Sequence, residues 1–159
     1  MKLNSTRVSG GRRMRLTLLA LICLLVPAAV GAQEKEVIRV PGSLEGLPFS
    51  SAVRVGNVLY LSGQVGALPG TRELAAGGIA AETRQALENI KQVLEYSGSA
   101  LDQVVKCTVF LLNISDYAAM NEVYASYFEN DPPARSTLAA SGLALGAKVE
   151  IECIALVGK

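Results

Sequence analysis

The chain lacks histidine and tryptophan altogether, and aromatic residues make up only 5% of its 159 positions. Without histidine, a protein cannot build a Ser-His-Asp triad, a histidine-ligated metal site or an imidazole pH switch. We therefore expect no metal site, and any chemistry must come from arginine, lysine, carboxylates, cysteine, hydroxyls or backbone groups. The length suits one domain of ordinary size, and no internal repeat divides it.

Acidic residues are also missing from the start of the chain, because the first one is Glu34. Five basic residues precede it: Lys2, Arg7, Arg12, Arg13 and Arg15. The uncharged residues 16–32 follow, and they end in the small residues Val-Gly-Ala at positions 30–32. This layout is typical of a secretory signal. We predict cleavage after Ala32, export by the Sec route rather than the twin-arginine route, and a periplasmic or secreted domain.

Two alternatives remain open for this segment. Its apolar core, residues 16–26, is shorter than the roughly 20 residues that cross a bilayer. Residues 16–32 would nevertheless form an uncleaved membrane anchor if Pro27 is tolerated within the helix. Met14 is a second candidate start, because a complete short signal follows it.

A signal peptide at residues 1–32 and a domain at residues 33–159 change the meaning of the net charge. The whole chain carries +1, but the signal holds five of the 15 basic residues and none of the 14 acidic ones, which leaves the domain near −4. An acidic domain without a basic cluster lacks the electrostatic footprint of nucleic-acid binding. We expect no nucleic-acid partner and no stable membrane association after cleavage.

Two amphipathic helices are predicted from the three-four spacing of apolar residues. The first begins at Ile79 and ends before Gly98, a residue suited to a left-handed cap, with Glu82 on its polar face. The second covers residues 117–128, with Ser115 as its N-cap.

Strands are predicted where apolar and β-branched residues cluster between turn residues. Their ranges are 37–40, 53–55, 58–61, 104–112, 135–140 and 148–157, with residues 63–78 as a loop. Residues 104–112 are too continuously apolar for an exposed strand, so we expect a central strand buried on both faces. The order βββαβαββ predicts a two-layer α+β fold, a mixed six-stranded sheet with both helices on one face.

The second face of such a sheet must also be covered. Its candidate residues are Tyr60, Thr108, Phe110 and Ile154. A surface of this apolar character is rarely left in water. We therefore expect the chain to associate with further copies of itself through this open face.

Five local strings occur in an order that belongs to a known family. They are Ser62-Gly63-Gln64, Thr83-Arg84-Gln85-Ala86-Leu87-Glu88-Asn89, Met120-Asn121-Glu122-Val123-Tyr124, Pro132-Pro133-Ala134-Arg135-Ser136 and Val149-Glu150-Ile151-Glu152. Together they resemble the RidA (YjgF) family of reactive enamine/imine deaminases, over residues 49–157. The resemblance implies a chorismate-mutase-like fold, a homotrimer with its helices outside, and one site in each cleft between subunits.

Two charged residues carry the chemistry that the resemblance implies. Arg135 matches the arginine that holds the substrate carboxylate, and a guanidinium binds a carboxylate through two parallel hydrogen bonds. Glu150 matches the carboxylate that holds or activates water, and Glu152 lies on the same strand face. The plainer alternatives are a surface salt bridge for Arg135 and solvated or structurally paired carboxylates for the two glutamates.

The remaining site residues follow from the same resemblance. Ser62 and Gly63 match the pocket-lining pair, and Asn121 matches the pocket asparagine. Thr137 lies where many members of the family carry a cysteine. Its backbone groups can still contact substrate or water, but thiol chemistry is lost. Phe49 replaces a tyrosine of many members, so its ring packing is kept while the phenolic hydrogen bond is lost.

Cys107 and Cys153 share the apolar parity of their strands, with Val105 beside Cys107 on the same face. As free thiols they would be inert core residues. The family fold makes their strands antiparallel neighbours, and export would permit a disulfide between them.

The leading hypothesis is therefore a cofactor-free hydrolase that converts 2-imino acids to 2-oxo acids and ammonia. The alternative is a non-enzymatic protein, or a holdase, that binds small carboxylates in the same pocket between subunits. A ribonuclease, sometimes associated with the family, disagrees with the acidic charge and with the absence of histidine.

Overall fold

The computed structural model describes residues 34–158 of the chain. Its two helices are α1 (Ile79–Tyr96) and α2 (Tyr117–Tyr127). Its strands are β1 (Lys35–Ile38), β2 (Ala52–Val55), β3 (Val58–Leu61), β4 (Gln64–Val65), β5 (Val104–Leu111), β6 (Ala134–Ala139) and β7 (Val149–Leu156). Short 3₁₀ turns precede β5, α2 and β7.

The strands form one mixed sheet in the order β1-β2-β3-β7-β5-β6. Strands β5 and β6 run parallel, whereas the other neighbouring pairs are antiparallel. The two-residue strand β4 also pairs with β7, so β3 and β4 lie one after the other along the same neighbour. Ser62 and Gly63 lie between them and interrupt the ladder opposite the middle of β7, between Ile151 and Ile154.

One face of the sheet is buried in the core that it shares with the helices. Alternate residues of β5 and β7 supply this face, as the two-residue period of a strand requires. They are Cys107, Val109, Leu111, Val149, Ile151, Cys153 and Ala155. Helix α1 contributes the fully buried Leu87, Ile90 and Leu94 to the same core. Each such aliphatic side chain stabilises the fold by about 1.5–3 kcal/mol.

The predicted two-layer α+β fold is confirmed by this arrangement. The hairpin of β2 and β3 pairs Val55 with Val58 across a tight turn. Helix α1 begins at Ile79 as predicted, and Gly98 beyond its end has a left-handed φ of 73°. The predicted loop at residues 63–78 is wrong in one detail, because it contains β4 and a bridge between Ala67 and Leu74.

Glu82 does not lie on the exposed polar face of α1, where the helical spacing predicts it. Its side chain is only 5% exposed, not part of the polar face. Its Oε2 atom accepts a hydrogen bond of 2.7 Å from the backbone N–H of Lys148. This bond compensates the burial of a carboxylate, which is costly without a partner.

The predicted N-cap of α2 is also wrong. Ser115 lies inside a 3₁₀ turn, Ile114–Asp116, and Asp116 occupies the position before the first helical residue. No side chain caps this helix by a hydrogen bond. Backbone hydrogen bonds of the 3₁₀ turn take the place of a side-chain cap. One of them runs from the N–H of Asp116 to the carbonyl of Asn113.

Strand β5 is an interior strand of the sheet, between β7 and the edge strand β6, but it is not buried on both faces of this chain. Its second face carries the half-buried Lys106, Thr108 and Phe110. A register irregularity between Val104 and Lys106 turns Val104 into the core and leaves Val105 43% exposed. The expectation that Val105 shares the face of Cys107 is therefore wrong, because a bulge breaks strict alternation.

The predicted signal peptide, at residues 1–32, lies outside the described residues. Within residues 34–158, neither helix is long and apolar enough to span a bilayer.

Candidate active site

Arg135 lies on β6, beneath helix α2. Its Nη2 atom donates one hydrogen bond of 2.7 Å to Asn121 Oδ1 and a second of 3.0 Å to Tyr117 Oη. The arginine is half-buried, and both acceptors of its hydrogen bonds are neutral. The structure thus brings together two of the predicted site residues, Arg135 and Asn121.

Two tyrosines of α2 surround the same guanidinium. The central carbon of the Arg135 guanidinium lies 4.4 Å from the ring centroid of Tyr124 and 5.7 Å from that of Tyr117. Contacts of this kind attract a cation to an aromatic face. Tyr117, Asn121 and Tyr124 are spaced i, i+4 and i+7, which places them on one side of the helix. The spacing is visible in the sequence, but it does not by itself distinguish tyrosines that surround a cation from tyrosines of an apolar helix face.

Two buried hydroxyls lie on this helix-covered side of the sheet. Between residues 34 and 158, neither Tyr124 Oη nor Thr137 Oγ1 has a hydrogen-bond partner. Burial raises the pKa of Tyr124 to about 12, and the positive charge of Arg135 acts in the opposite direction. The phenol therefore stays neutral at physiological pH. Thr137 is two residues beyond Arg135 on β6, so it projects to the same face.

Glu150 forms the second part of the predicted site. It lies on β7, where its register partners are Phe110 on β5 and Val65 on β4. Burial raises the pKa of its half-buried carboxyl, and the negative charge of Glu152 raises it further. A carboxylate with a raised pKa is a stronger base than an ordinary glutamate, as a residue that takes a proton from water requires.

Gly63, in the gap between β3 and β4, lies directly against Glu150. A Cβ at position 63 would overlap Glu150 Oε1 and would lie 2.9 Å from the carboxyl carbon. Ser62 Oγ donates a hydrogen bond of 2.7 Å to the Ser50 carbonyl, which ties the gap to the segment that carries Phe49. The Phe49 ring is 54% exposed and so remains accessible to a ligand or to another chain.

The arginine group and the glutamate group lie on opposite faces of the sheet. Arg135 is the register partner of Cys107, which is fully buried under the helices, whereas Glu150 is opposite Phe110. Directly paired residues share a face, and residues an odd number apart on a regular strand point to opposite faces. One chain alone does not direct Arg135 and Glu150 into a common pocket.

A disulfide joins Cys107 to Cys153 in the structure. The two residues are direct register partners on β5 and β7, with their Cα atoms 4.1 Å apart. Both are buried, so the bond lies inside the core and not at the predicted site.

Metal ligands are not clustered in the described part of the chain. Residues 34–158 contain no group of three or more histidine, cysteine, aspartate or glutamate side chains that could hold a metal ion.

The described residues thus form a two-layer α+β fold with an anchored arginine, Arg135, and a glutamate of raised pKa, Glu150. A family model described as endoribonuclease L-PSP matches residues 44–157, which is most of the chain. The chain belongs to this family, the RidA/YjgF family.

Curated relatives and solved structures agree with this membership. DfrA of Myxococcus xanthus is 45% identical over 111 residues, which cover 69% of this chain and 85% of DfrA. A human protein named 2-iminobutanoate/2-iminopropanoate deaminase is 39% identical over 120 residues, 76% of this chain and 86% of that protein. The crystal structure of the Escherichia coli YjgF gene product matches with a TM-score of 0.70 at 34% identity, covering 76% of this chain and 98% of that one.

Proposed function

We propose that this protein hydrolyses reactive 2-imino acids to 2-oxo acids and ammonia. The observation that carries the proposal is the combination of an arginine fixed by Asn121 and Tyr117 with a glutamate whose pKa is raised by burial. A 2-imino acid has a carboxylate for the first group and an electrophilic carbon for water held by the second. Similar proteins named 2-iminobutanoate/2-iminopropanoate deaminase, from human and mouse, support this substrate class.

Arg135 binds the substrate carboxylate and so fixes the position of the adjacent C=N carbon. The Glu150 carboxylate accepts a proton from a water molecule as the water oxygen bonds to that carbon and the C=N π electrons move to nitrogen. Protonation of the nitrogen by the Glu150 carboxyl restores the carboxylate. The Glu150 carboxylate then takes the hydroxyl proton and passes it to the amino nitrogen, so that the C–N bond breaks with loss of NH3 as the C=O bond of the 2-oxo acid forms. No cofactor enters this sequence.

We further propose that the complete site forms between copies of the chain in a homotrimer. The opposite directions of Arg135 and Glu150 support this assembly, because a neighbouring copy must supply the missing half. The open sheet face supports it too, since Tyr60 is 48% exposed there and Phe110 and Ile154 are half-buried. Closed rings of identical subunits bring two different surfaces of the chain together at every interface.

The hydrolysis is tested by imine decay in a coupled assay, with an amino-acid oxidase as the imine source. Arg135→Lys keeps the positive charge but removes the paired N–H donors of the guanidinium. We therefore expect kcat/KM to fall roughly tenfold to a hundredfold. The matched control is Arg72→Lys, at an exposed loop position, which should leave activity unchanged. Imine decay no faster with the wild-type protein than without protein contradicts hydrolysis, and equal activity of wild type and Arg135→Lys contradicts the role of Arg135. Carboxylate binding without hydrolysis would favour the non-enzymatic binder.

The shared site is tested by complementation between two inactive variants. Arg135→Ala retains Glu150, and Glu150→Gln retains Arg135. When the two chains are co-expressed with different tags and purified through both, mixed trimers should recover activity, with about one third of their sites complete. Mixed oligomers without activity would show that both residues must come from one chain.

A further inference from the structure

Both hydrogens of the Arg135 Nη2 atom are already engaged within the chain. One points to Asn121 Oδ1 and the other to Tyr117 Oη. Among residues 34–158, no acceptor takes a hydrogen bond from Nε or Nη1. The free donors of the guanidinium are therefore on its other two nitrogens.

The positions of the free and the hydrogen-bonded N–H groups of Arg135 limit how a carboxylate can bind it. A carboxylate binds it side by side either through Nη1 and Nη2 or through Nε and Nη2. Each arrangement needs one hydrogen of Nη2. A substrate carboxylate thus binds Arg135 through two hydrogen bonds only if Asn121 or Tyr117 gives up its own.

Tyr117 is the better suited of the two to give way. Its bond to Nη2 is longer, at 3.0 Å against 2.7 Å for Asn121, and its side chain is 42% exposed whereas Asn121 is half-buried. An amide oxygen can only accept, but a phenol hydroxyl can also donate. After release, the Tyr117 hydroxyl lies beside the place that the carboxylate oxygen takes.

We infer that Tyr117 is a substrate-positioning residue whose hydroxyl changes from acceptor to donor when a carboxylate arrives. In the free protein it accepts from Arg135 Nη2. In the complex that N–H turns to the carboxylate, and the Tyr117 O–H donates to the same carboxylate. Tyr117 thereby favours ligands with a charged carboxylate over their neutral analogues. This inference rests on the role of Arg135 in the proposed function.

The experiment compares pyruvate with its neutral analogue pyruvamide. Both are titrated by calorimetry into the full-length protein as produced, into Tyr117→Phe, and into Tyr96→Phe, an exposed tyrosine at the end of α1. We expect Tyr117→Phe to bind pyruvate about tenfold more weakly, because a hydrogen bond to a charged group is lost. Pyruvamide binding, melting temperature and kcat should stay unchanged while KM for the imine rises. Tyr96→Phe should match wild type.

The possible outcomes separate this inference from the proposed hydrolysis. Equal or tighter pyruvate binding by Tyr117→Phe overturns the inference, and so does an equal loss for pyruvate and pyruvamide, which marks a merely structural role. Failure of the wild-type protein to bind pyruvate overturns it as well. Selective loss of pyruvate binding in a protein without imine hydrolysis supports Tyr117 and rejects only the hydrolysis.

Discussion

The carboxylate of Glu150 occupies the space in which any residue other than glycine at position 63 would place its Cβ. At the break between β3 and β4, the backbone of Gly63 therefore lies directly against Glu150, the candidate general base. The absence of a side chain at position 63 leaves the space that this carboxylate occupies, so its present orientation depends on that glycine.

Gly63→Ala should therefore displace the Glu150 carboxylate. We expect kcat for imine hydrolysis to fall roughly tenfold or more with a smaller change in KM, because Arg135 still binds the substrate. The control is Gly142→Ala, where a Cβ meets no atom within 4 Å. Steady-state kinetics of both variants provide the measurement. Equal activities would show that the Glu150 position does not limit the reaction.

The raised pKa of Glu150 predicts the pH dependence of activity. Since the carboxylate form accepts the proton from water, activity should fall as the pH drops through this raised pKa. Glu152→Gln removes the negative neighbour that raises it. The acid side of the profile should then move to lower pH, because the Glu150 pKa falls.

This profile is measured as kcat/KM against pH for wild type, Glu152→Gln and the control Glu73→Gln, whose side chain is exposed in a loop. A shift to higher pH in Glu152→Gln, or the same shift in Glu73→Gln, contradicts the assignment.

Glu82 should stabilise the fold without taking part in catalysis. Glu82→Ala leaves the partly buried backbone N–H of Lys148 without its acceptor, at a cost of about 1–3 kcal/mol in the free energy of unfolding. Glu82→Gln keeps an acceptor oxygen and should lose less. Urea denaturation measures both, with the exposed Glu95→Ala on the same helix as the control. If both Glu82 variants are as stable as wild type, the hydrogen bond to Lys148 contributes nothing to the free energy of unfolding.

The disulfide predicts a mass that depends on reduction. The unreduced exported protein should be lighter by two hydrogens than the reduced protein, as intact mass spectrometry resolves. The bond joins residues 46 apart. Closing a loop of this length should stabilise the protein by about 4 kcal/mol. In a Cys107→Ala, Cys153→Ala double variant, reductant should leave both mass and stability unchanged. An unreduced wild-type protein with two free thiols would rule out the bond.

We propose export of the chain, with cleavage after Ala32. When the full chain is produced in a host with a Sec system, N-terminal sequencing of the periplasmic or secreted protein should begin at Gln33. Introducing an arginine into the apolar core, as in Leu19→Arg, should prevent export, whereas Leu19→Ile should not. A full-length product retained in membranes would indicate an anchor instead.

Local patterns were sufficient for most of the secondary structure. The hairpin of β2 and β3 and the start of α1 at Ile79 follow from alternation, from turn residues and from helical spacing. These patterns depend on residues close in the chain. The bulge after Val104 and the short strand β4 leave no such pattern, because both are set by pairing with the distant strand β7.

The sequence by itself determined the α+β class, the two amphipathic helices and the residue types available for chemistry. Only the tertiary structure decided where those residues act. It buried Glu82 against a backbone N–H 66 residues away, placed Tyr117 on Arg135, and turned Arg135 and Glu150 to opposite faces of the sheet. The reason is that alternation reports which residues of one strand share a side, whereas register between strands and helix placement depend on packing of the whole core.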